Sequence, residues 1–317
     1  MRLTSVGSFG KPDYVLEARR KFPIGHPERV EAEKKATEFW IRKQEELNYD
    51  VLVHGEMERG DMVAYFGEVL GGFCSGLKEE PVRSYGNRFW IPPEIIGKVE
   101  WKAPMTLDTW KFAQSLTHSP VKGMLTGPGT IYDWSVDTHY GSRERAMYDI
   151  ARALREEIKV LISEGAKFIQ IDEPSLAQSS ENVTLLGEVF TEMLKGLDSY
   201  FILHTCYGKD IFRESFKHIK DFPIQNLYIE SSNSGMEFLK VIQEEESKLD
   251  FTIGVVDVHT HEIEPLELVK ERIEQARKVI PEDRLWIGPD CGLKTRTVEE
   301  SVGKLKVISD AKTHRTI

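Results

Sequence analysis

The segment FILHTC, at residues 201–206, indicates the fold. It is a short apolar run that ends in two reactive side chains, His204 and Cys206. Apolar runs of this length are typical of strands that are buried on both faces of a parallel sheet. Seven further segments repeat the pattern, and each closes on a polar residue or a glycine turn. They span residues 3–8, 51–56, 121–126, 168–173, 227–230, 252–259 and 285–291. The sequence therefore predicts eight parallel strands.

Helical patterns lie between these segments. Apolar residues recur at helical spacing from Met147 to Leu161, and Gly165 follows where a helix stop is expected. Helices are also predicted over residues 29–47, 266–280 and 298–311. Strands that alternate with helices indicate a parallel α/β fold, and eight such strands close a (β/α)8 TIM barrel.

The predicted architecture is a single catalytic domain, one (β/α)8 barrel over residues 1–317. The segment near residues 85–103 does not fit the alternation, since it is aromatic and contains Pro92 and Pro93. We interpret it as an inserted arm of the barrel.

Composition excludes several classes of function. The 317 residues are 40% hydrophobic and 30% charged, with a net charge of −10, which is the profile of a soluble globular protein. An acidic chain without a dense basic cluster predicts no nucleic-acid partner. No apolar run reaches the roughly 18–20 residues of a membrane span, and the first residues lack the apolar core of a signal peptide, so we expect a cytoplasmic protein without a membrane partner.

Reactive side chains concentrate at the predicted strand ends. Barrel enzymes place their active sites at the carboxyl ends of the strands. A single polar residue at a strand end needs no function, because the chain meets solvent there. That explanation is weaker for a whole set of reactive side chains at the same ends. The residues at these ends are Ser8, Glu56, Thr126, Asp172, His204, Cys206, Glu230, His259 and Cys291.

Four of these residues suit a zinc ion. His204 and Cys206 are two apart on a strand and face the same side, so both can reach one ion. Glu230 ends the next strand and Cys291 ends the last, which completes a tetrahedral set of nitrogen, sulfur and oxygen ligands. Taken singly, each cysteine is more often a small buried hydrophobe. Two thiolate ligands place negative charge on the zinc and lower its Lewis acidity toward bound water. The ligand set therefore favours activation of a substrate thiol.

At these residues the chain resembles a known family, the catalytic C-terminal barrel of cobalamin-independent methionine synthase. The matching motifs run in family order over nearly the whole chain. They are VGS at 6–8, HGExERxDMV at 54–63, SYGNR at 84–88, GMLTGP at 123–128, DWS at 133–135, IQIDEP at 169–174, HTCY at 204–207, IES at 229–231, DVH at 257–259 and PDCGLKT at 289–295.

The resemblance implies a function for each group. It implies a zinc site made by His204, Cys206, Glu230 and Cys291, and a proton donor, His259, for the leaving group. It implies that L-homocysteine is held by Gly7, Ser8, Glu56 and Asp172. It also implies that Arg88 and Trp134 contact the methyl donor.

The chain departs from the family on the donor side. Asn87-Arg88-Phe89 stands where the family usually has Ser-Arg-Cys, and Gln178 stands where it usually has glutamate. The methyl donor expected from the sequence is therefore either a methyl-pterin (folate) or a methylcorrinoid, which a corrinoid protein could carry.

Three hypotheses follow from the sequence. The first is a zinc-dependent homocysteine S-methyltransferase that produces L-methionine. The second keeps the barrel and the zinc but changes the thiol acceptor, which Glu56 and Asp172 disfavour because their charges suit an ammonium group. The third is a non-catalytic partner with structural zinc, in which a corrinoid or pterin protein is bound.

Overall fold

The computed structural model describes residues 1–74, 82–83, 89–177, 183–206 and 212–313. The chain divides into two units, which are treated separately below. The first unit contains residues 1–58, 109–122 and 226–317, and the second contains residues 59–108 and 123–225. The prediction of a single domain is not tested by this division and stays a prediction.

The first unit contains a parallel sheet in the order β1-β12-β11-β10. Its strands are β1 (Arg2–Leu3), β10 (Asn226–Ile229), β11 (Asp250–Val256) and β12 (Leu285–Pro289). Parallel bridges from Thr4 to Val51 and from Leu52 to Val121 continue the sheet beyond β1. The predicted strands around residues 51 and 121 are therefore present, although the first of them is reduced to isolated bridges.

Helices follow the strands of the first unit at the predicted places. α2 (Pro27–Glu46) begins with a proline at its first turn and buries Ala36, Trp40 and Ile41. The other helices are α1 (Asp13–Lys21), α9 (Phe238–Glu244), α10 (Leu266–Arg277) and α11 (Val298–Thr313), and α4 (Leu107–Ser115) begins in the second unit and ends in the first. The helices predicted over 29–47, 266–280 and 298–311 are thus confirmed as α2, α10 and α11.

The second unit contains the parallel strands β6 (Gly123–Thr126), β8 (Phe168–Asp172) and β9 (Tyr200–Thr205), in the order β9-β8-β6. α6 (Arg143–Ser163) begins at Ser142, whose side chain accepts a hydrogen bond from the Arg145 N–H. Gly165 has a φ of +100° just past the helix, as the sequence predicts. The remaining helices of this unit are α3 (Met62–Val69), α5 (Pro128–Asp133), α7 (Val183–Leu194), α8 (Phe212–Ile219) and a 3-10 turn at Pro174–Ala177.

The predicted arm near residues 85–103 contributes to two small sheets of the second unit. β5 (Glu94–Glu100) pairs antiparallel with β2 (Gly71–Cys74) and parallel with β7 (Val136–Asp137). A two-residue pair, β3 (Val82–Arg83) with β4 (Phe89–Trp90), is antiparallel. Residues 84–88 of the arm, Arg88 among them, lie outside the described residues. Among the helices that the structure describes, none combines the length and the apolar character that a membrane crossing requires.

A buried carboxylate holds the loop before α4 against α6. Glu157 is fully buried, and its two oxygens accept hydrogen bonds from the Trp101 Nε1 (2.9 Å), the Met105 N (2.8 Å) and both the N (2.8 Å) and the Oγ1 (2.9 Å) of Thr106. Four donors on one carboxylate satisfy a loop that would otherwise bury unpaired N–H groups.

We predict that Glu157→Ala lowers the free energy of unfolding by about 3 kcal/mol, because it leaves several buried donors without an acceptor. Urea unfolding followed by circular dichroism measures the change. Glu156→Ala is the matched control, since the neighbouring Glu156 side chain is 47% exposed and pairs with Lys159 on the surface. Equal stability of the two variants would contradict the prediction.

Candidate active site

The strand register of the second unit places two candidate residues side by side. Asp172 pairs with Thr126 on one neighbouring strand and with His204 on the other. One Asp172 oxygen accepts a hydrogen bond from the Gln170 Nε2 at 2.7 Å. The side chains of Asp172, His204 and Cys206 are 7%, 2% and 5% exposed, so this end of the sheet carries an anion, an imidazole and a thiol in a largely desolvated place.

Glu173 fixes the helix that leads to Trp134. Its fully buried carboxylate accepts hydrogen bonds from the N–H groups of Gly129 and Thr130, both at 2.8 Å, and from the Thr130 Oγ1 at 2.6 Å. Burial raises the pKa of Glu173 to about 7, although these hydrogen bonds favour the charged form. The partly buried Trp134 ends α5, so Glu173 determines where this helix begins and thereby where Trp134 stands.

The loop that carries Glu56 is strained and tightly held in the first unit. Glu56 has a φ of +55°, in the left-handed region that side chains with a Cβ rarely adopt. Its N–H donates to the His54 Nδ1 at 3.2 Å, and its carbonyl accepts from the Lys11 Nζ at 2.8 Å. Strain of this kind persists only where the surroundings impose it, and it is frequent at functional sites.

The Gly7-Ser8 turn lies against two of the candidate loops. Ser8 bridges to Gly55, directly before Glu56, and its carbonyl accepts from the Leu293 N–H at 2.7 Å. A Cβ on Gly292 would stand 2.2 Å from the Ser8 Oγ, so a larger residue beside Cys291 would force the Ser8 hydroxyl to move. Both Gly7 and Ser8 are buried. The first unit thus brings Ser8, the Glu56 loop and the segment after Cys291 together.

Glu230 and His259 are in direct contact in the first unit. The His259 Nε2 lies 3.2 Å from the Glu230 Oε1, which also accepts from the Asn233 Nδ2 at 2.8 Å. Burial disfavours the charged imidazole, but the hydrogen bond and charge of Glu230, with the charges of Cys291 and Asp257, raise the pKa of His259 above its usual value. A raised pKa favours the protonated imidazole, which suits the role of a proton donor.

Asp290 joins the two strand ends that carry Glu230 and Cys291. Its buried carboxylate accepts from the N–H groups of Ser231 (3.0 Å), Ser232 (2.9 Å) and Asn233 (2.9 Å), and from the Ser232 Oγ (2.5 Å). Burial raises the pKa of Asp290 to about 6, against the effect of these four bonds. Asp290 thus fixes the turn after Glu230 from the residue before Cys291.

Sequence reasoning missed Lys11, Glu173 and Asp290. Glu173 and Asp290 stand within the quoted motifs, beside Asp172 and Cys291. The motifs therefore marked these positions, but the residue types alone did not show which N–H groups they bind. Lys11 carried no such signal, because only the folded loop shows that it bonds the Glu56 carbonyl.

His204, Cys206 and Cys291 form a group that could hold a metal ion, with one ligand atom from each. One imidazole nitrogen and two thiolates fit zinc, which prefers such ligands in tetrahedral sites. Among the described residues, Glu230 is not a member of this group, and its place as a fourth ligand stays a prediction.

We predict that Glu56→Gly leaves the protein as stable or more stable, by on the order of 0.5 kcal/mol, because relief of the left-handed strain exceeds the entropic cost of glycine. Both bonds to its N–H and carbonyl use the backbone and remain. Affinity for homocysteine, which the resemblance assigns to Glu56, falls at least tenfold, as calorimetry would show.

The control for this variant is Asn48→Gly, at a residue with a φ of 54° after the end of α2. Homocysteine affinity is expected to stay unchanged there. A large loss of stability in Glu56→Gly, or unchanged affinity, would contradict the interpretation.

The family model and the curated relatives that match the chain point to the same protein family. Residues 1–314 match the family model for the catalytic domain of cobalamin-independent synthase. The chain is 40% identical over 321 residues to a 5-methyltetrahydropteroyltriglutamate--homocysteine methyltransferase of Bacillus licheniformis, with 97% of this chain and 42% of that protein covered. A protein of the same name from Pasteurella multocida is 38% identical, with the same coverage. The chain therefore spans about two fifths of the length of these relatives.

A solved structure resembles the chain over its whole length. The B12-independent methionine synthase from Shewanella sp. W3-18-1, in complex with selenomethionine, superposes with a TM-score of 0.87 at 26% identity, covering 98% of this chain and 97% of that one. This likeness confirms the predicted TIM-barrel class. With the fold, the family model and the relatives in agreement, the chain belongs to the family of cobalamin-independent synthase catalytic domains.

Proposed function

We propose that the protein is a zinc-dependent homocysteine S-methyltransferase that transfers a methyl group from a methyl-pterin to L-homocysteine and produces L-methionine. The observation that carries the proposal is the His204, Cys206 and Cys291 group in a chain of this family. We also propose that residues 1–317 act as one catalytic domain and that the protein is cytoplasmic.

Zinc is the metal that the donor set favours. His204, Cys206 and Cys291 would hold it, with Glu230 as the fourth ligand. When bound, zinc would keep the substrate sulfur as a thiolate at neutral pH. Because two of the protein ligands are thiolates, activation of water is a less suitable chemistry for this set.

Acceptor recognition is assigned to charges at the strand ends. Asp172 and Glu56 attract the ammonium group of homocysteine, and N–H groups of the Gly7-Ser8 turn bind its carboxylate. The buried position of Asp172 strengthens its attraction for a cation, because little water competes. A thiol without an amine would bring no positive charge to this buried carboxylate, which disfavours the second hypothesis of another acceptor.

The donor is proposed to be a pterin because the curated relatives are named for 5-methyltetrahydropteroyltriglutamate. The methylcorrinoid donor and its carrier protein, which the sequence left open, have no support from these relatives and are not proposed. Trp134 would stack on the pterin, and Arg88, outside the described residues, would contribute charge.

The chemical step is an in-line displacement. The homocysteine sulfur forms a bond to the methyl carbon while the bond from that carbon to the pterin nitrogen breaks. The nitrogen then needs a proton, and we assign this proton to His259, whose Nε2 lies 3.2 Å from the Glu230 Oε1.

We predict that the chain binds one zinc ion and converts homocysteine and methyltetrahydropteroylglutamate to methionine. Cys206→Ser and Cys291→Ser should each lose zinc and lower kcat at least a hundredfold, because the thiolate set is broken. Zinc is measured by elemental analysis, and methionine by mass spectrometry.

Cys74→Ser is the matched control, since Cys74 lies on β2 next to Glu94 and outside the candidate metal group. It should retain both zinc and activity. Full activity in the Cys206 and Cys291 variants would refute the zinc site. Stoichiometric zinc without turnover in the unaltered protein would instead favour the non-catalytic hypothesis.

We also predict that the unaltered protein binds homocysteine at least tenfold more tightly than 4-mercaptobutanoate, which has the same thiol and carboxylate but no amine. Asp172→Asn should remove most of this preference, because the charge that pairs with the ammonium group is lost. Calorimetry with both ligands measures the ratio, and the exposed Asp221→Asn on the same unit serves as the control. A ratio that Asp172→Asn leaves unchanged would point to another acceptor site.

A further inference from the structure

A charged cluster with no assigned role is buried behind the loop that carries His259. Glu264 is 9% exposed, and its Oε2 lies 3.2 Å from the Nζ of Lys304, which is fully buried. Its Oε1 lies 3.4 Å from the Nη1 of Arg272, and that same Nη1 donates to the Val255 carbonyl at 2.8 Å. The cluster therefore ties α10 and α11 to the end of β11.

Glu264 also closes the loop of residues 257–264. Its Oε1 accepts a hydrogen bond from the backbone N–H of Asp257 at 2.5 Å, seven residues earlier. Lys304 donates a second bond to the loop, from its Nζ to the Glu262 carbonyl at 2.5 Å. Both ends of the loop are thus bonded to one pair of buried charges.

The closed loop determines where His259 stands. The Asp257 Oδ1 accepts a hydrogen bond from the His259 N–H at 2.7 Å, so the position of Asp257 sets the position of the His259 backbone. The His259 ring then meets the Glu230 Oε1 at 3.2 Å. A continuous series of bonds runs from Lys304 and Arg272 through Glu264 and Asp257 to His259.

A buried ion pair is a poor source of stability, because desolvation of both charges offsets their attraction, and apolar residues of equal volume often serve as well. An apolar side chain at residue 264 could fill the space but could not accept a bond from the Asp257 N–H. The loop therefore requires the hydrogen-bond acceptor that Glu264 provides for the Asp257 N–H, and filling the same space would not replace it.

We propose that Glu264, held by Lys304 and Arg272, is a positioning residue for His259 in methyl transfer. The inference rests on the proposed function, in which His259 gives a proton to the leaving pterin nitrogen. Glu264 touches neither substrate nor the reacting atoms and acts through Asp257.

The test removes the acceptor together with the fully buried Lys304 charge that faces it, while Arg272 keeps its bond to the Val255 carbonyl. In the double variant Glu264→Leu with Lys304→Met, we expect kcat with the methyl-pterin to fall about tenfold or more, since general acid catalysis is worth roughly 10²–10⁴-fold. Homocysteine affinity and zinc content should stay within twofold. Alkylation of bound homocysteine by methyl iodide should also stay within twofold, because iodide leaves without a proton.

Two control variants separate positioning from general loss of structure. Glu264→Gln keeps an oxygen that can accept from Asp257, and it should restore much of the pterin activity. Arg29→Met with Glu33→Leu removes a buried ion pair of 2.8 Å within α2, and all readouts should stay unchanged. An equal fall in the pterin and methyl iodide rates, or no fall in either, would overturn the proposal.

Placement of the ring can be measured without turnover. The ¹⁵N signals of the His259 ring, assigned with His259→Gln, should shift in the double variant and stay in place in the α2 control. Unmoved signals would overturn the inference about Glu264. A complete lack of pterin activity in the unaltered protein would overturn the proposed function, while the NMR result would still decide the inference.

Discussion

The hydrogen bond from a backbone N–H to a buried carboxylate is the interaction on which the candidate site depends. Parallel strands end where their N–H and carbonyl groups lose partners, and the following loop must satisfy those groups in another way. Glu173 does this for the start of α5, Asp290 for the turn after Glu230, and Glu264 for the loop that begins at Asp257. Each carboxylate fixes a segment that contains or adjoins a candidate functional side chain.

These carboxylates also explain why the loops need no regular structure of their own. An acceptor with two oxygens can bond several N–H groups at once, as Asp290 does for three successive residues. The cost is desolvation of a charge, and the pKa values of Glu173 and Asp290 are raised accordingly, to about 7 and about 6. The left-handed backbone of Glu56 also costs free energy, because a residue with a Cβ is strained at this φ. In return, the direction of the Glu56 side chain is fixed.

The sequence predicted regular structure well where a periodic pattern was strong. The helices α2, α6, α10 and α11 occur as predicted, since apolar periodicity reports directly which face is buried. Most of the strand segments occur too, but the one at residues 51–56 is reduced to isolated bridges. The inserted arm was predicted only as an exception, because strands that pair across distant segments, such as β5 with β2 and β7, leave no local pattern. The roles assigned to Gly7, Ser8, Glu56, Asp172, Trp134 and His259 remain predictions whose geometry is now described.

What the sequence by itself determined is the order of the strands, the reactive residues at their ends and the family, because strand periodicity and motif spacing are properties of neighbouring residues. Only the tertiary structure decided which residues hold those ends in place. Lys11 reaches Glu56 across 45 residues and Lys304 reaches Glu264 across 40, and no local pattern encodes such pairs. Likewise, the contact between Glu230 and His259 depends on two loops folding toward each other, so the metal ligand and the proton donor predicted separately share one hydrogen bond in the folded protein.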